Sequence, residues 1–413
     1  MQEHYFILKN GLKVQYIQRP ESNIVSCILA TKVGALIEGE NEVGLAHFCE
    51  HVVLKSTEQY PSRELLNKLI ADTGGYSNGL TSYTYTKYPV HHSKEYIDNC
   101  LMFLSETVFH PLIAEEDVSI EKSVILQEIR KTNSEKNKII NKTFLKLLFN
   151  NRFSSTIIGE EEKIEKYTTL DIRNFYEKWY KPNNFWLTIV ADLPLDKIQE
   201  KVSTYFEKVP INTKNSSIVY AIEKLPITEN TDIRIPANID GSYVMIVGDI
   251  IDSFSEDEIP FVNLLNFVLS NNKTGRLYKL LRVQEKKVYH VSSENVPYGD
   301  NCSTLRCITE CAEVDTEYIC NKIKEEYNKI FEYGITEEEL TIFKLEYIVS
   351  NNFNEEKSSD IADVYTSYSL KRNKPLSKKE RNEKYQSLSL LEVNNFLKKL
   401  KDINFHSLVF HKE

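Results

Sequence analysis

Short apolar runs of two kinds alternate along the first part of the chain. Residues 10–34 are rich in β-branched side chains and partly alternate with polar ones, which predicts a strand-rich start. Residues 42–56 have the length and apolar spacing of a helix, and Ser62 is a suitable cap for a second helix ending at Gly74. Residues 76–91 predict a long strand and residues 93–108 a further amphipathic helix. Such alternation is typical of an α+β fold built in layers.

A long segment near the middle of the chain is repeated near its end. LDIRNFYEKWYKPNNFWLTIV at 170–190 resembles LEVNNFLKKLKDINFHSLVF at 391–410, with matching residues at a constant offset of 221. A repeat of this size indicates a duplicated domain rather than a solenoid unit. The polar stretch 211–232 is the predicted connection. We therefore predict two homologous domains, residues 1–215 and 216–413.

Composition limits the class of protein. With 413 residues the chain is too long for one ordinary core, and 41% hydrophobic with 27% charged residues is typical of a globular protein. The formal net charge is −9 with both signs mixed along the chain, which argues against a nucleic-acid partner. No apolar run approaches the roughly 18 residues of a membrane span, and the start has no signal-peptide pattern. A cytoplasmic protein is the expectation.

The cysteine pattern agrees with a reducing compartment. There are seven cysteines, an odd number without an obvious disulfide framework, so free thiols are predicted. Four of them lie between residues 302 and 320, but their spacing lacks the C-x-x-C pair that zinc ribbons favour. Ordinary packing is therefore preferred over a second metal site for this group.

Residues 47–51 carry the strongest chemical signal in the chain. They read His-Phe-Cys-Glu-His, so His47 and His51 lie one above the other on the predicted helix and both imidazoles can reach one ion. Glu50 lies on the same side and can contact a water molecule there. This is the H-x-x-E-H arrangement of some zinc peptidases. Structural histidines on a helix would give the same pattern, so the motif alone leaves that alternative open.

The segment GLAHFCEHVVLKST resembles the signature of the pitrilysin/insulinase metallopeptidases. The resemblance implies that His47 and His51 bind one Zn²⁺ per chain and that Glu50 is the general base. In that family the third ligand is a glutamate about 77 residues later, which corresponds to Glu128. Glu121, one heptad earlier, matches a second glutamate that assists the site. The alternative for Glu121 is an ordinary solvated acid on a helix.

Two further segments extend the resemblance over nearly the whole chain. GGYSNGLTSYTYTKY is similar to the family's substrate-binding strand, which implies that Asn78, Gly79 and Thr81 contact the substrate. Gly79 gives room for a second backbone, although a bulge would explain a glycine equally well. GRLYKLLRVQEKKVYHV is similar to the element that supplies an arginine and a tyrosine seven residues apart to the active site. These correspond to Arg282 and Tyr289.

The resemblance also implies an architecture and an activity. Each domain is expected to be a mainly antiparallel sheet packed against helices, and the two domains to form half of a clam-shell chamber. The implied activity is zinc-dependent endoproteolysis of extended or leader peptides. Because the chain has half the length of four-domain members and resembles the short form found in processing-peptidase subunits, it is expected to form a homodimer or a heterodimer with a homologous two-domain subunit. The alternatives are a non-catalytic peptide-binding or scaffold subunit, and an interaction protein whose metal has a structural role only.

Overall fold

The computed structural model describes most of the chain as two compact units. The described residues are 1–132, 139–141, 144–145, 157–210, 218, 220, 232–237 and 239–412. The first unit consists of Met1–Asn133, Ser155–Tyr220 and Asn352–Ser377. The second unit consists of Ser134–Ser154, Ala221–Asn351 and Lys378–Glu413. The division predicted from the sequence, 1–215 and 216–413, differs from this one. It assigns Ser134–Ser154 to the first domain and Asn352–Ser377 to the second.

A seven-stranded mixed sheet forms the centre of the first unit. Its strands are β1 (Gln2–Ile7), β2 (Lys13–Gln18), β3 (Ile24–Thr31), β4 (Tyr76–Ser77), β5 (Leu80–Thr81), β6 (Thr86–Ser93) and β7 (Phe185–Ala191). The strand order is β1-β2-β7-β3-β6-β4, and β5 also pairs with β6. Strands β2 and β7 are parallel, whereas the other neighbours are antiparallel. The short strands β4 and β5 therefore lie at one edge of the sheet.

Seven helices belong to the part of the first unit that is described before residue 210. They are α1 (Leu45–Val53), α2 (Arg63–Asn67), α3 (Ile97–Phe109), α4 (Glu115–Thr132), α5 (Glu161–Lys166), α6 (Thr169–Trp179) and α7 (Leu195–Phe206). Apolar side chains of α1, α3, α6 and α7 pack with one face of the sheet into a single core. Eight of the nine residues of α1 are buried, and six of them belong to this core.

A six-stranded mixed sheet forms the centre of the second unit. Its strands are β8 (Asp232–Ala237), β9 (Ser242–Gly248), β10 (Ile251–Asp252), β11 (Val288–Tyr298), β12 (Cys302–Cys311) and β13 (Phe405–Lys412). The order is β10-β12-β9-β13-β8, with β11 also paired to β12, and β8 and β13 are parallel. The described helices after residue 239 are α8 (Ile259–Ser270), α9 (Thr316–Tyr333), α10 (Glu337–Asn354), α11 (Ser358–Arg372), α12 (Lys378–Gln386) and α13 (Leu390–Lys398). A π-helical segment covers Tyr278–Gln284.

The two sheets share one strand plan. The order β2-β7-β3-β6 in the first sheet corresponds to β8-β13-β9-β12 in the second, with the parallel pair in the same place. The repeated sequence forms equivalent helices, α6 and α13, and both begin with a capping box. Thr168 and Asp171 form the first box, and Ser389 and Glu392, offset by the same 221 residues, form the second. The α+β prediction, with mainly antiparallel sheets packed against helices, is confirmed.

Helix α11 belongs to the first unit although it follows most of the second unit in the chain. Its apolar side chains pack on the face of the first sheet that is opposite to α1, against a group that includes Trp186. Lys87 of β6 also binds α11, with its Nζ 2.7 Å from Asp363 Oδ1. Strands β2, β3 and β7 carry buried apolar residues on both faces of the sheet, so both faces need a covering layer. One of these layers, α11, comes from a distant part of the chain.

The cysteines and the helix lengths can be compared with the expectations from composition. All seven cysteines are free, and six of them are buried. Among the helices that the structure describes, none is long and apolar enough to span a bilayer.

Candidate metal centre

Helix α1 holds the H-x-x-E-H motif at a fixed position in the core. Its first turn is capped from a preceding loop, because Glu38 accepts hydrogen bonds from the backbone N–H groups of Gly44 and Ala46, both at 2.8 Å. Gly44 has a φ of +90°, and a Cβ there would lie 2.7 Å from the Cα of Gly159. The Glu38 hydrogen bonds and the close packing of Gly44 against Gly159 therefore fix the loop before α1. Glu38 was not predicted as a cap from the sequence, since no local pattern marks a capping residue so far from its helix.

Three potential ligand atoms converge beside α1. The Nε2 atoms of His47 and His51 lie 3.2 Å apart, and Oε2 of Glu128 on α4 lies 3.7 Å and 3.8 Å from them, respectively. Zinc–ligand bonds of about 2.0–2.2 Å in tetrahedral geometry require ligand atoms about 3.3–3.6 Å apart. The observed spacings are close to that range. Two imidazoles and one carboxylate, with one position left for water, are also the donor set of a catalytic zinc site, so the residues fit this ion.

The two histidines have different surroundings. Burial, with a contribution from neighbouring His51, lowers the pKa of His47 to about 3, so this imidazole is neutral and able to bind a metal at ordinary pH. Burial also lowers the pKa of His51, but a hydrogen bond to Glu121 and the charges of Glu50 and Glu128 outweigh it and the net shift is upward. His51 Nδ1 contacts Glu121 Oε2 at 2.8 Å. His47 Nδ1 is buried and has no hydrogen-bond partner among the described residues.

Glu50 points toward the same centre and is closely enclosed. Its Oε2 lies 4.0 Å from His47 Nε2 and accepts a hydrogen bond of 3.0 Å from the Thr81 hydroxyl. A Cβ on Gly79 would lie 2.1 Å from Glu50 Oε1, so only glycine leaves room for this carboxylate. Burial raises the pKa of Glu50, partly opposed by His51 and by the Thr81 hydrogen bond. A carboxylate with a raised pKa, fixed beside the ligand atoms, has the properties of a general base.

Gly79 and Thr81 belong to the outer edge of the first sheet, together with Asn78. The backbone N–H of Asn78 donates to the carbonyl of Pro89 at 3.1 Å, which continues the pairing of β4 and β5 with β6. In the described part of the chain, no strand pairs with β4 or β5 on their outer side. The structure thus places the three predicted substrate-strand residues at a free sheet edge, and two of them next to Glu50. Their contact with substrate stays a prediction.

Arg282 and Tyr289 contact each other in the second unit. Arg282 lies in the last turn of its π-helical segment and places its guanidinium carbon 4.6 Å from the centre of the Tyr289 ring. The Tyr289 side chain on β11 is largely solvent-accessible, with 79% relative exposure. Such stacking holds the arginine while leaving its N–H groups free to donate. Participation of this pair in the chemistry of the His47 centre stays a prediction.

Among the described residues, His47, Glu50 and His51 form a group whose side-chain atoms lie close enough together to hold a metal ion. Glu128 lies within 3.8 Å of both histidines. Of the four cysteines between residues 302 and 320, three are buried. A further contact was not foreseen from the sequence: Lys55, four residues after His51, binds Glu121. One hint of this contact was present in the sequence, since Lys55 follows His51 by four residues, about one helical turn. However, a lysine at the end of a helix is ordinarily solvated.

Comparison with known proteins places the chain in a family. Residues 13–161 match the family model described as insulinase, peptidase family M16, and residues 166–346 match the model described as the peptidase M16 inactive domain. The first match contains all of the ligand candidates. The two matches together cover most of the chain.

Relatives and solved structures agree with this assignment. The chain is 25% identical over 354 residues to an uncharacterized zinc protease of Rickettsia felis, covering 82% of this chain and 81% of that protein. It is 25% identical over 366 residues to zinc protease PqqE of Helicobacter pylori, covering 87% of this chain and 82% of that protein. A crystal structure of a Helicobacter pylori protease has the same fold, with a TM-score of 0.89, 21% identity, and coverage of 100% of this chain and 99% of that chain. The chain belongs to the insulinase family of peptidases, family M16.

Proposed function

We propose that this protein is a zinc-dependent endopeptidase that hydrolyses extended, unfolded peptides. The observation that supports this most strongly is the convergence of His47 Nε2, His51 Nε2 and Glu128 Oε2 within 3.2–3.8 Å of one another, with the Glu50 carboxylate beside them. A structural metal site needs no buried carboxylate held next to an open position. The enclosed position of Glu50 favours the catalytic over the structural alternative.

Each residue has a defined task in the proposed reaction. A bound Zn²⁺ would acidify a water molecule and polarise the substrate carbonyl. His47, His51 and Glu128 would hold the ion. Glu50 accepts a proton from the attacking water and later delivers it to the leaving amine nitrogen, so the carboxylate is regenerated in each turnover. Thr81 keeps the Glu50 carboxylate directed at the reacting atoms through its hydroxyl hydrogen bond.

The free edge beside Glu50 provides the proposed substrate site. A peptide that pairs with residues 76–81 would extend the first sheet by one strand and place its backbone next to Glu50. Binding of this kind uses main-chain hydrogen bonds, so it selects an extended backbone before particular side chains. Folded proteins, whose backbones are already paired, would be poor substrates. The proposed class of substrate is therefore unfolded or leader peptides.

Removal of the metal is the direct test of the proposal. Treatment with a zinc chelator should abolish cleavage of a mixture of unstructured peptides. One equivalent of Zn²⁺ should restore it, because the protein ligands alone supply no Lewis acid. The products are measured by mass spectrometry. His47→Ala should lose both zinc and cleavage, whereas His110→Ala, which changes an exposed histidine of the same unit, should keep both. Cleavage that survives complete metal removal would refute the proposal.

Tyr289 is proposed to donate its hydroxyl to the oxyanion of the reaction, and Arg282 to bind a substrate carbonyl or carboxylate. The exposed hydroxyl and the stacked guanidinium support these roles. Tyr289→Phe should lower kcat by at least about tenfold, because removing one oxyanion donor typically costs 10²–10³ in rate. The ring that carries Arg282 is kept, so KM should change little. Steady-state kinetics with a fluorogenic peptide measure both constants.

A matched tyrosine provides the control for this experiment. Tyr333 is also highly exposed and lies in the same unit, outside the proposed site. Tyr333→Phe should have wild-type kinetics. If Tyr289→Phe behaves like Tyr333→Phe, Tyr289 has no part in stabilising the oxyanion.

The second candidate function is a non-catalytic peptide-binding or scaffold subunit of a heterodimeric processing peptidase. The match of residues 166–346 to a model described as an inactive domain is the observation in its favour. A pairing partner with the same two-domain plan, either a second copy or a homologous chain, is proposed in both cases. Bound zinc without hydrolysis of any peptide, either alone or with such a partner, would favour the binding subunit.

A further inference from the structure

Lys55 lies just beyond the end of α1 and faces a buried acid rather than solvent. Its Nζ is 2.5 Å from Glu121 Oε1. The side chain of Lys55 is only 13% exposed and that of Glu121 only 3%. Withdrawing a lysine and a glutamate from water to this extent is costly unless the pair is well placed. The contact is therefore a fixed part of the interior next to the metal centre.

The two oxygens of Glu121 have different partners. Oε1 contacts Lys55, while Oε2 lies 2.8 Å from Nδ1 of His51. A carboxylate held by a lysine accepts hydrogen bonds, so the Nδ1–H of His51 donates to it. In the neutral imidazole the lone pair is then on Nε2, the atom that lies 3.2 Å from His47 Nε2 and 3.8 Å from Glu128 Oε2. The position of Glu121 thus orients the His51 ring, with Nδ1 toward the carboxylate and Nε2 toward the ligand cluster.

We propose that Lys55 is a positioning residue for the metal centre: it holds the Glu121 carboxylate in place, and the carboxylate in turn keeps Nε2 of His51 directed at the zinc site. The inference rests on the proposed function in taking zinc as the bound ion.

Loss of Lys55 has two separable consequences. Like the loss of any buried ion-pair partner, it leaves Glu121 uncompensated and lowers stability. According to the proposal it also releases His51: the Glu121 side chain is no longer held in place, and the His51 ring loses the contact that orients Nε2 toward the ligand cluster. Only the second consequence weakens zinc binding. A test must therefore measure the affinity for zinc and not stability or activity alone.

The test compares zinc dissociation constants of the full chain by competition with a chromophoric chelator. Lys55→Met should weaken zinc binding by about 10–100-fold, the range typical for residues that support metal ligands from behind. Lys55→Arg keeps the charge and should retain most of the affinity. If Lys55→Met does not fold, Lys55→Gln gives the same comparison with a polar, uncharged head group.

Lys87 offers a matched control. It is another buried lysine of the first unit, 5% exposed, with its Nζ 2.7 Å from Asp363 Oδ1. Lys87→Met should lower the unfolding temperature without changing the zinc dissociation constant. An equal loss of affinity in Lys87→Met would show that destabilisation accounts for the effect, and would overturn the proposal.

A double-variant cycle tests the path through Glu121. Glu121→Gln alone should weaken zinc binding, and adding Lys55→Met should weaken it little further, because Lys55 then has no carboxylate to hold. Independent losses in the two single variants would overturn this path, and wild-type affinity in Lys55→Met would overturn any role for Lys55. A wild-type protein that binds no zinc is a different result, since it would refute the proposed function and this inference together.

Discussion

Glu50→Gln is expected to abolish peptide cleavage while leaving zinc in place. Glutamine has nearly the same shape as glutamate and can keep the hydrogen bond from Thr81, but its amide cannot accept the proton of the attacking water. General acid–base groups contribute about 10²–10⁴-fold in rate, so kcat should fall by at least about 10²-fold. Zinc should be retained, because the proposed ligand set consists of His47, His51 and Glu128 and does not include Glu50.

To measure this change, wild type and Glu50→Gln are incubated with a mixture of unstructured peptides at the same zinc concentration, and the products are identified by mass spectrometry. Glu64→Gln, an exposed position on α2, is the control and should cleave as the wild type does. Cleavage by wild type alone would establish a peptidase and show its sequence preference at once. Undiminished cleavage by Glu50→Gln would exclude Glu50 as the base. Loss of zinc from this variant would instead make Glu50 a ligand.

Gly79→Ala is expected to impair the reaction almost as strongly, although it adds only one methyl group. The new Cβ would meet three atoms of the Glu50 side chain at 2.1, 2.7 and 2.9 Å, distances too short to persist. Glu50 is confined by burial and by Thr81, so either the carboxylate or the edge segment must move. A misplacement of about 1 Å in a catalytic group can cost about 10²-fold, and kcat should fall to that extent.

Kinetics, zinc content and thermal unfolding are measured together for this variant. Zinc content should stay at one equivalent, which separates displacement of the base from loss of the metal. Gly39→Ala is the matched control, because its added Cβ would meet Glu42 at 3.6 Å, an ordinary contact distance. A normal kcat in Gly79→Ala would mean that Glu50 has room to move without loss of function, against the tight enclosure described above.

The sequence by itself predicted the features that depend on neighbouring residues. His47, Glu50 and His51 are brought together by one helical turn, so their order along the chain is sufficient to place them on one face. The repeated segment predicted equivalent helices and strands, which the structure shows as two sheets with one strand plan. Glu128 was a different case. Nothing in its local pattern marks it as a ligand, and only the family resemblance pointed to it.

The tertiary structure decided the features that depend on distant residues. From the sequence, Gly79 was explained by an approaching substrate backbone or a bulge, and the structure adds the Glu50 carboxylate that occupies the space. Lys55 was not singled out, because its partner Glu121 is separated from it by the whole of α2 and α3. The return of α11 to the first sheet was not predicted either. The periodicity of apolar residues predicts which face of a helix or strand is buried. It does not predict which other element packs on that face, because this depends on how the whole chain folds.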